Sequence, residues 1–496
     1  MLWVLWVVTC RAYMCMLHVY IFITSTFLNV SLETSVIPRD WKLAKVTPIY
    51  KEKGDRSDVG NYRPISCIGH IPKIFEREIH QQLLHYFQEN KYISIDQSAF
   101  LKQHNTQTAL HRVIDDCIDN ICSSTYTGIC SFDIKKCFDT IDHDLLLIKM
   151  KYYGICNNEL EWFKTYLSKR SQIVKCNGNL SDVRNFSVGV PQGSVLGPFL
   201  FVIFINDISQ NVGLGTANLF ADDTLIYCHG NTENEVNEKL QSCVNIVSDW
   251  YEKNNIVINA DKSCCMLVRS RYQNCNDNFS ISIGNSQLKS VESMNYLGLE
   301  IEKHLSWNKY VDKLCKKLAF KISRLSRLRK STPKNILIMI YNSTVQTCID
   351  YSISVWGCTG NFNIDRVQRF QNYAARIIEN NFDYVNTRGI NLVKKLGWMN
   401  VRQRLLYFQT LLIFKSIHGL APEYLNNNVI MDFEISKKIT RKHNMNLYLP
   451  FPECQFQKNM LFYRGARDWN ALPGHIKDCH ELDKFKKVLK YYIKNR

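Results

Sequence analysis

Three aspartates in two places of the sequence have the residue type and setting of metal ligands. Asp133 ends an apolar run at 128–132, and the adjacent Asp222 and Asp223 lie between two short apolar runs. Such an Asp-Asp pair is by itself more typical of a hairpin turn, because aspartate tolerates turn backbone. Carboxylates at strand ends also suit Mg²⁺, which prefers hard oxygen ligands, and rigid strands would hold two ions about 4 Å apart. The three aspartates are therefore candidate ligands of a two-metal centre for phosphoryl transfer.

The elements around these aspartates predict how they are positioned. A strand over 126–133 is followed by a helix from about Ile141, whose apolar face is predicted to hold Ile141, Leu145, Ile148 and Tyr152. Strands and helices do not alternate regularly, which favours an α+β fold over a βαβ fold. Further predicted elements are helices at 71–83 and 106–121, a hairpin turn at 177–179, an apolar helix within 190–208 and paired strands at 218–227.

A strongly basic segment follows at 309–334, with ten basic residues against one acid, Asp312. Apolar residues recur within it at every third or fourth position, which predicts a helix with one buried face and one cationic face. A charged face in contact with water would explain the pattern, but the excess of positive over negative residues favours phosphate binding. The whole chain carries a formal charge of +17, which favours a polyanionic partner, with nucleic acid first and an acidic membrane surface second.

The cysteines and the N-terminus bear on the compartment. The 19 cysteines are scattered without a Cys-x-x-Cys pair, so we expect neither a disulfide framework nor a zinc knuckle, and we expect most to be small buried residues. Residues 1–30 are apolar with Arg11 as their one formal charge, and a membrane anchor must be considered. The missing basic n-region and cleavage site, and the polar residues in the second apolar run, argue against an anchor.

Several motifs in a fixed order then resemble the reverse transcriptases of non-LTR retrotransposons, most closely those of jockey-like mobile elements. The resemblance covers about residue 25 to the end, and the ordered set is far more specific than any one motif. The motifs are Asn61-Tyr-Arg-Pro-Ile-Ser, Gln97-Ser-Ala-Phe, Phe132-Asp-Ile-Lys-Lys-Cys-Phe-Asp, Gly189-Val-Pro-Gln-Gly-Ser-Val-Leu-Gly-Pro, Phe220-Ala-Asp-Asp, Asn259 with Lys262, Tyr296-Leu-Gly and Trp469-Asn-Ala-Leu-Pro.

The resemblance implies an α+β right-hand polymerase of fingers, palm and thumb, with an antiparallel palm sheet and a mainly helical C-terminal region. The implied activity is RNA-directed DNA polymerisation with two Mg²⁺ or Mn²⁺ ions. The implied domains are an unmatched apolar N-terminus at 1–24, fingers and palm at 25–302, a basic helical thumb at 303–380 and a helical C-terminal region at 381–496.

Roles for individual residues follow from the same resemblance. Asp133 and Asp222 would bind the metal ions directly, Asp223 would support them, and the Ile134 carbonyl would add a ligand. Lys262 would protonate the leaving pyrophosphate, although a plain surface lysine explains it equally well.

Other residues would contact the substrates. Phe138 would exclude a 2′-hydroxyl and so select deoxynucleotides. Gln192 and Gly193 would let the backbone approach the template base and the nucleotide. Lys51 and Arg63 would contact the triphosphate. The basic helix would grip the primer–template duplex through phosphates; its contact residues would be Lys313, Lys316, Lys317, Lys321 and Arg324.

The implied partners are an RNA template, a DNA primer and deoxynucleoside triphosphates, with the element RNA held in a ribonucleoprotein. We expect no obligate protein partner, and we expect the nucleus and the cytoplasm as the sites of action. Since no segment of endonuclease length precedes the polymerase motifs, we expect a chain that polymerises without nicking target DNA. The rival hypotheses are a non-enzymatic remnant that binds nucleic acid, a membrane-tethered enzyme of another class, and another lineage such as an intron maturase or telomerase.

Overall fold

The computed structural model describes residues 25–52, 54–274, 279–436 and 445–495. The chain divides into two compact units that share the sequence in alternating segments. The first unit comprises the chain up to Phe100 with Asp133–Asn211 and Ile246–Asn259. The second comprises Leu101–Phe132, Val212–Asn245 and Ala260–Arg496. The predicted N-terminal segment 1–24 lies outside the described residues.

The first unit contains a small sheet and several helices. Strand β1 (Leu43–Tyr50) pairs antiparallel with β2 (Tyr62–Cys67). Strand β1 also pairs parallel with the longest strand of the predicted hairpin. That hairpin turns through residues 177 and 178, which both have positive φ, as a type I′ turn requires. The other strands and the α-helices are α1 (His70–Glu89), α3 (His143–Tyr152), α4 (Asn157–Leu167), β4 (Arg170–Cys176), β5 (Asn179–Leu180), β6 (Arg184–Phe186) and α5 (Gly197–Ile205). Short 3₁₀ helices lie at Arg39–Lys42, Val59–Asn61, Cys137–Asp139 and Asn206–Asn211.

The second unit is built on a five-stranded sheet. Its central strand β3 (Tyr126–Phe132) pairs antiparallel with β8 (Asp223–Gly230) and with β9 (Cys264–Val268). Strand β7 (Thr216–Phe220) pairs antiparallel with β8 at one edge, and β12 (Lys289–Ser290) pairs parallel with β9 at the other. Smaller strands are β10 (Ser282–Ile283), β11 (Ser286–Gln287), β13 (Ser293–Tyr296) and β14 (Leu299–Glu302). Helix α2 (Thr106–Cys122) and the part of helix α6 (Glu233–Lys253) up to Asn245 complete the unit.

Helices make up most of the described chain after β14, and they are connected by turns, irregular segments and one isolated bridge. The core of this helical part is continuous with the sheet, because buried Ile129, Leu225 and Met266 share one apolar cluster with helix residues such as Trp356. The helices are α7 (Asn308–Leu328), α8 (Lys334–Ile340), α9 (Thr347–Asp350), α10 (Ile353–Trp356), α11 (Asn361–Glu379), α12 (Gly389–Lys395), α13 (Val401–Ile417), α14 (Glu423–Asn426), α15 (Asp432–Ser436), α16 (Leu461–Asn470), α17 (Gly474–Lys477) and α18 (Leu482–Asn495), with a π-helical turn at Tyr341–Gln346.

The predicted α+β right-hand class, with a mainly antiparallel sheet and a helical C-terminal region, is confirmed. The predicted basic helix is also present as α7, and its buried face carries the expected apolar residues up to Leu325. It ends at Leu328, short of the predicted extent, because Pro333 cannot donate a helical hydrogen bond and a turn precedes it.

The predicted apolar face of the helix near Ile141 was wrong. Ile148 and Tyr152 are 63% and 84% exposed, whereas Leu146 and Met150 are buried. The Asp142 carboxylate caps the helix by accepting from the backbone N–H groups of Asp144 and Leu145. Ile141 therefore lies before the helix, and the helix face that contains Leu146 and Met150 packs against the core.

Among the described cysteines most of the free thiols are buried, as predicted. One disulfide was not expected, and it joins Cys122 at the end of α2 to Cys454. No helix within the described ranges is both long and apolar enough to cross a bilayer.

Gly128 in β3 lies where a side chain would meet α6. A Cβ there would be 2.6 Å from Val236 Cγ1 and 3.1 Å from Leu240 Cδ2. We expect Gly128→Ala to lower the free energy of unfolding by about 1–3 kcal/mol, because overpacking forces neighbours from their preferred rotamers. Urea denaturation measures this. Gly474→Ala is the control, since its Cβ would meet no atom within 4 Å; equal losses in both variants would contradict the packing argument.

Asp115 on α2 predicts a pH dependence of stability. Burial raises its pKa to about 7, although its carboxylate accepts from the Leu461 N–H at 3.2 Å. The folded state therefore keeps a proton that the unfolded state, with an ordinary pKa of about 4, has already released. The group's contribution to the free energy of unfolding is full below about pH 4 and is lost as the pH rises to about 7.

We expect Asp115→Asn to remove this dependence, because asparagine stays neutral and its oxygen can still accept from Leu461. Thermal denaturation of both proteins between pH 4 and 8 measures the difference. Parallel curves for the two proteins over that range would disprove the assignment.

Candidate active site

Asp222 and Asp223 lie at the tip of the β7–β8 hairpin. Phe220 pairs with Asp223, so Ala221 and Asp222 form a two-residue turn. Ala221 adopts φ of +55°, a left-handed conformation that is costly for a residue with a side chain. Both aspartates are exposed, while the strands behind them are buried. The hairpin thus presents two carboxylates to solvent from a rigid base.

Asp133 directly follows Phe132, the last residue of β3. Its carbonyl accepts from the Asn259 backbone N–H at 2.8 Å, and its Oδ2 accepts from Asn259 Nδ2 at 3.0 Å. The Lys135 N–H donates to the Val257 carbonyl at 3.0 Å, and neither of these backbone bonds involves the Ile134 carbonyl. Asn259 therefore fixes both the backbone and the carboxylate of Asp133. The sequence had indicated Asn259 only as part of a motif, and this contact role was missed.

Gln192 and Gly193 pack against the end of β2. The Gln192 carbonyl accepts from the Ser66 N–H at 2.6 Å, and Gly193 has φ of +117°. A Cβ on Gly193 would lie 2.6 Å from the Ser66 carbonyl oxygen. The glycine is required here both by its conformation and by the close approach of two backbone segments.

Phe138 joins the same region within the first unit. Its carbonyl accepts from the Val190 N–H at 2.8 Å, and its ring centroid is 4.9 Å from that of Phe201. The neighbouring Asp139 accepts from Gln192 Nε2 at 3.0 Å. The first palm motif and the Pro-Gln-Gly motif, distant in sequence, are thereby held together.

Asp139 is a contact residue that the sequence reasoning did not single out. Burial raises the pKa of its carboxyl, and the Gln192 hydrogen bond with the charges of Lys136 and Lys51 opposes that rise. Lys51 thus lies within electrostatic reach of this cluster. An aspartate four residues before a helix, next to the motif phenylalanine, was the available signal.

The predicted triphosphate-contacting cations lie on adjacent chain segments. Lys51 follows β1, and its Nζ donates to the Gly60 carbonyl at 2.9 Å. Arg63 stands in β2 opposite Ile49 and is exposed. Both cations are accessible to a ligand of the first unit. Lys262 is exposed in the second unit, two residues before β9.

The five predicted cations of α7 divide into two groups. Lys316, Lys317 and Arg324 are exposed, with Arg324 over the Phe320 ring at 4.2 Å. Lys313 pairs with Glu300 at 2.5 Å, and Lys321 donates to the Thr344 carbonyl at 2.9 Å. The first three are therefore better placed for phosphate contacts than the other two.

The metal prediction has a mixed outcome. Within the described parts of the chain no three His, Cys, Asp or Glu side chains are grouped to hold an ion. Mg²⁺ usually uses one or two carboxylates together with waters and substrate phosphates rather than a closed protein cage. The hard oxygen donors at the hairpin tip fit that chemistry, whereas a preformed three-carboxylate cage is absent from the described residues.

A mainly antiparallel sheet with an exposed Asp-Asp hairpin beside its central strand, followed by a helical region, is consistent with the class of right-hand polymerases. The family model described as reverse transcriptase (RNA-dependent DNA polymerase) matches residues 49–301. The chain belongs to the reverse transcriptase family.

Curated relatives agree with this family. The chain is 28% identical to the RNA-directed DNA polymerase from mobile element jockey of Drosophila melanogaster, over 74% of this chain and 41% of the relative. It is also 28% identical to the probable RNA-directed DNA polymerase from transposon X-element of the same species, over 72% of this chain and 40% of the relative. The chain thus spans about two fifths of the length of these relatives.

Among solved structures, apo telomerase from Candida tropicalis gives a TM-score of 0.41 at 12% identity, covering 75% of this chain and 63% of that one.

Gly193 provides a test of the site's backbone geometry. We expect Gly193→Ala to reduce nucleotide incorporation on the order of a hundredfold, because the clash with the Ser66 carbonyl would displace the Gln192 loop. Gly178→Ala is the matched control: it also has positive φ, but its Cβ would meet nothing within 4 Å. Primer extension with a melting curve for each variant measures both effects. Similar incorporation by the two variants would show that the close approach is unimportant.

Proposed function

We propose that the protein is the RNA-directed DNA polymerase of a non-LTR retrotransposon, adding deoxynucleotides to a primer 3′-hydroxyl on an RNA template. One observation carries the proposal: Phe132 pairs with Thr224 in the sheet. The register thus supports a shared site for Asp133, the next residue in the chain, and the Asp222-Asp223 hairpin. Family membership and the similarity to the jockey polymerase support the reaction class.

We infer that Asp133 and Asp222 hold two divalent cations, Mg²⁺ or Mn²⁺, with Asp223 and the Ile134 carbonyl in support. Bound ions would supply Lewis-acid chemistry, activating the 3′-hydroxyl and stabilising the pyrophosphate. Asn259 keeps the Asp133 carboxylate in one orientation through its 3.0 Å bond, so little reorganisation is needed when charge develops.

We assign the substrate contacts to residues of the first unit. Gln192 and Gly193 present backbone that a base pair can approach, and the Phe138 ring closes the space beside the sugar. Lys51 and Arg63 offer donors to the triphosphate. Lys262 is the proposed acid for the leaving pyrophosphate.

Exposed cations of α7 support binding of the primer–template duplex through its phosphates, with Lys316, Lys317 and Arg324 contributing most and Lys313 and Lys321 less. Such contacts weaken as salt rises. The proposed division into fingers and palm at 25–302, thumb at 303–380 and a C-terminal region at 381–496 remains a prediction. We also propose a ribonucleoprotein with the element RNA, no obligate protein partner, and action in the cytoplasm and the nucleus.

Primer extension on an RNA template tests the activity. We expect the full chain to incorporate deoxynucleotides with Mg²⁺ or Mn²⁺, and Asp222→Asn to reduce the rate at least about a hundredfold, since metal stabilisation contributes several kcal/mol. Asp182→Asn, an exposed loop aspartate outside the motifs, is the matched control. A wild-type chain that incorporates nothing with either metal would indicate a nucleic-acid-binding remnant. Equal activity of Asp222→Asn and wild type would remove Asp222 from the site.

Phe138 sets the choice of sugar. We expect Phe138→Ala to raise ribonucleotide use relative to deoxynucleotide use about tenfold or more, because removing the ring opens space for the 2′-hydroxyl. Competition between the two nucleotide types in primer extension gives the ratio. Phe451→Ala, which removes a highly exposed ring, is the control. An unchanged ratio in Phe138→Ala would leave Phe138 as a packing residue only.

A further inference from the structure

A second feature suited to nucleic acid lies in the second unit, away from the aspartates. It is a cavity of about 670 Å³ between the loop 269–272 after β9, the end of α2, the starts of α7 and α11, and the segment 454–459. We call it the Arg271 cavity. Its volume is within the usual range for small-ligand sites.

The position of the Arg271 cavity separates it from the hairpin of Asp222 and Asp223. In the sheet, Phe132 at one end of β3 pairs with Thr224, beside the hairpin. At the other end Thr127 pairs with Val268, and the cavity loop follows directly. A strand rises about 3.3 Å per residue, so the two ends are about 20 Å apart. The cavity is therefore not part of the aspartate site.

The charge of the Arg271 cavity favours an anion. Two cations, Arg269 and Arg271, line it, and no acidic residue stands among the described residues that do so. Gly360, the residue before helix α11, also lies there; it provides no side-chain cap, and a Cβ on it would meet no atom within 4 Å. Uncapped backbone N–H groups and the helix dipole favour a phosphate at such a position.

Aromatic rings at the Arg271 cavity provide a surface for a base, as its cations do for a phosphate. Tyr272 is 95% exposed and Phe362 is 69% exposed, and both line it. Aromatic rings beside cations are the surface on which unpaired bases stack while their phosphates are bound. A free phosphate or an acidic peptide would use the cations but would gain nothing from the rings.

We propose that the Arg271 cavity binds an unpaired nucleotide of a single-stranded nucleic acid, with its phosphate at Arg271 and the start of α11 and its base on Tyr272 or Phe362. RNA and DNA share this chemistry. A strand held there would be anchored about 20 Å from the polymerase site, so that the enzyme keeps its nucleic acid through a contact separate from the primer–template duplex.

Binding of labelled 15-nucleotide oligo(U) and oligo(dT) to the full chain tests the proposal, with fluorescence anisotropy measured in the presence of saturating short primer–template duplex. We expect the double variant Arg271→Glu/Tyr272→Ala to bind about tenfold more weakly. The matched control is Lys490→Glu/Tyr491→Ala, which also reverses one charge and removes one ring, at two exposed residues of α18. Preference for RNA would identify the template as the ligand, and preference for DNA the target strand; either supports the site.

Two further readouts keep the test separate from the polymerase proposal. Extension of the short duplex should be unchanged in the Arg271→Glu/Tyr272→Ala variant, and a 4-thiouridine oligonucleotide should crosslink to residues 269–272 or to Phe362. The proposal would be overturned if both double variants lost affinity equally or if neither lost it. It would also be overturned if crosslinks formed only at other residues, or if oligoglutamate competed as well as the oligonucleotides.

Discussion

The pairing of β3 with two antiparallel neighbours is the constraint on which the rest of the second unit depends. Residues on a strand alternate between faces, so a shift of one position would move buried Ile129 from the core to the other side. The same shift would change which residue stands beside the hairpin turn. Core packing therefore fixes the register, and the register fixes where β3 delivers the chain at Asp133. Gly128 contributes by letting α6 approach the strand.

Chemistry in this protein is supported by contacts that are not themselves reactive. Asn259 holds Asp133 by both backbone and side chain, and Gly193 allows the Gln192 loop to bond to Ser66. Asp139 links that loop to the turn of Phe138. Each contact joins segments far apart in sequence. In the proposed polymerase site, rigid backbone geometry would position the reacting groups, and flexible cations would contact the phosphates.

Sequence reasoning predicted the fold class, the hairpin of Asp222-Asp223, the basic helix and the family from periodicity and ordered motifs. It did not predict the packed face of α3, because the Asp142 cap shifts the helix start and only tertiary contacts select Leu146 and Met150. Nor did it assign Asn259 and Asp139 their partners, since such long-range hydrogen bonds leave no local pattern. The disulfide of Cys122 and Cys454 was missed for the same reason.

Iron-mediated cleavage tests the central claim that the end of β3 and the β7–β8 hairpin serve one metal site. Fe²⁺ would replace Mg²⁺ in the full chain with bound primer–template, and ascorbate with peroxide would generate radicals that cut nearby backbone. We expect cuts next to Asp133 and also next to Asp222, both suppressed by excess Mg²⁺ and both lost in Asp222→Asn. Cleavage confined to one of the two places, or unaffected by that substitution, would contradict a shared site.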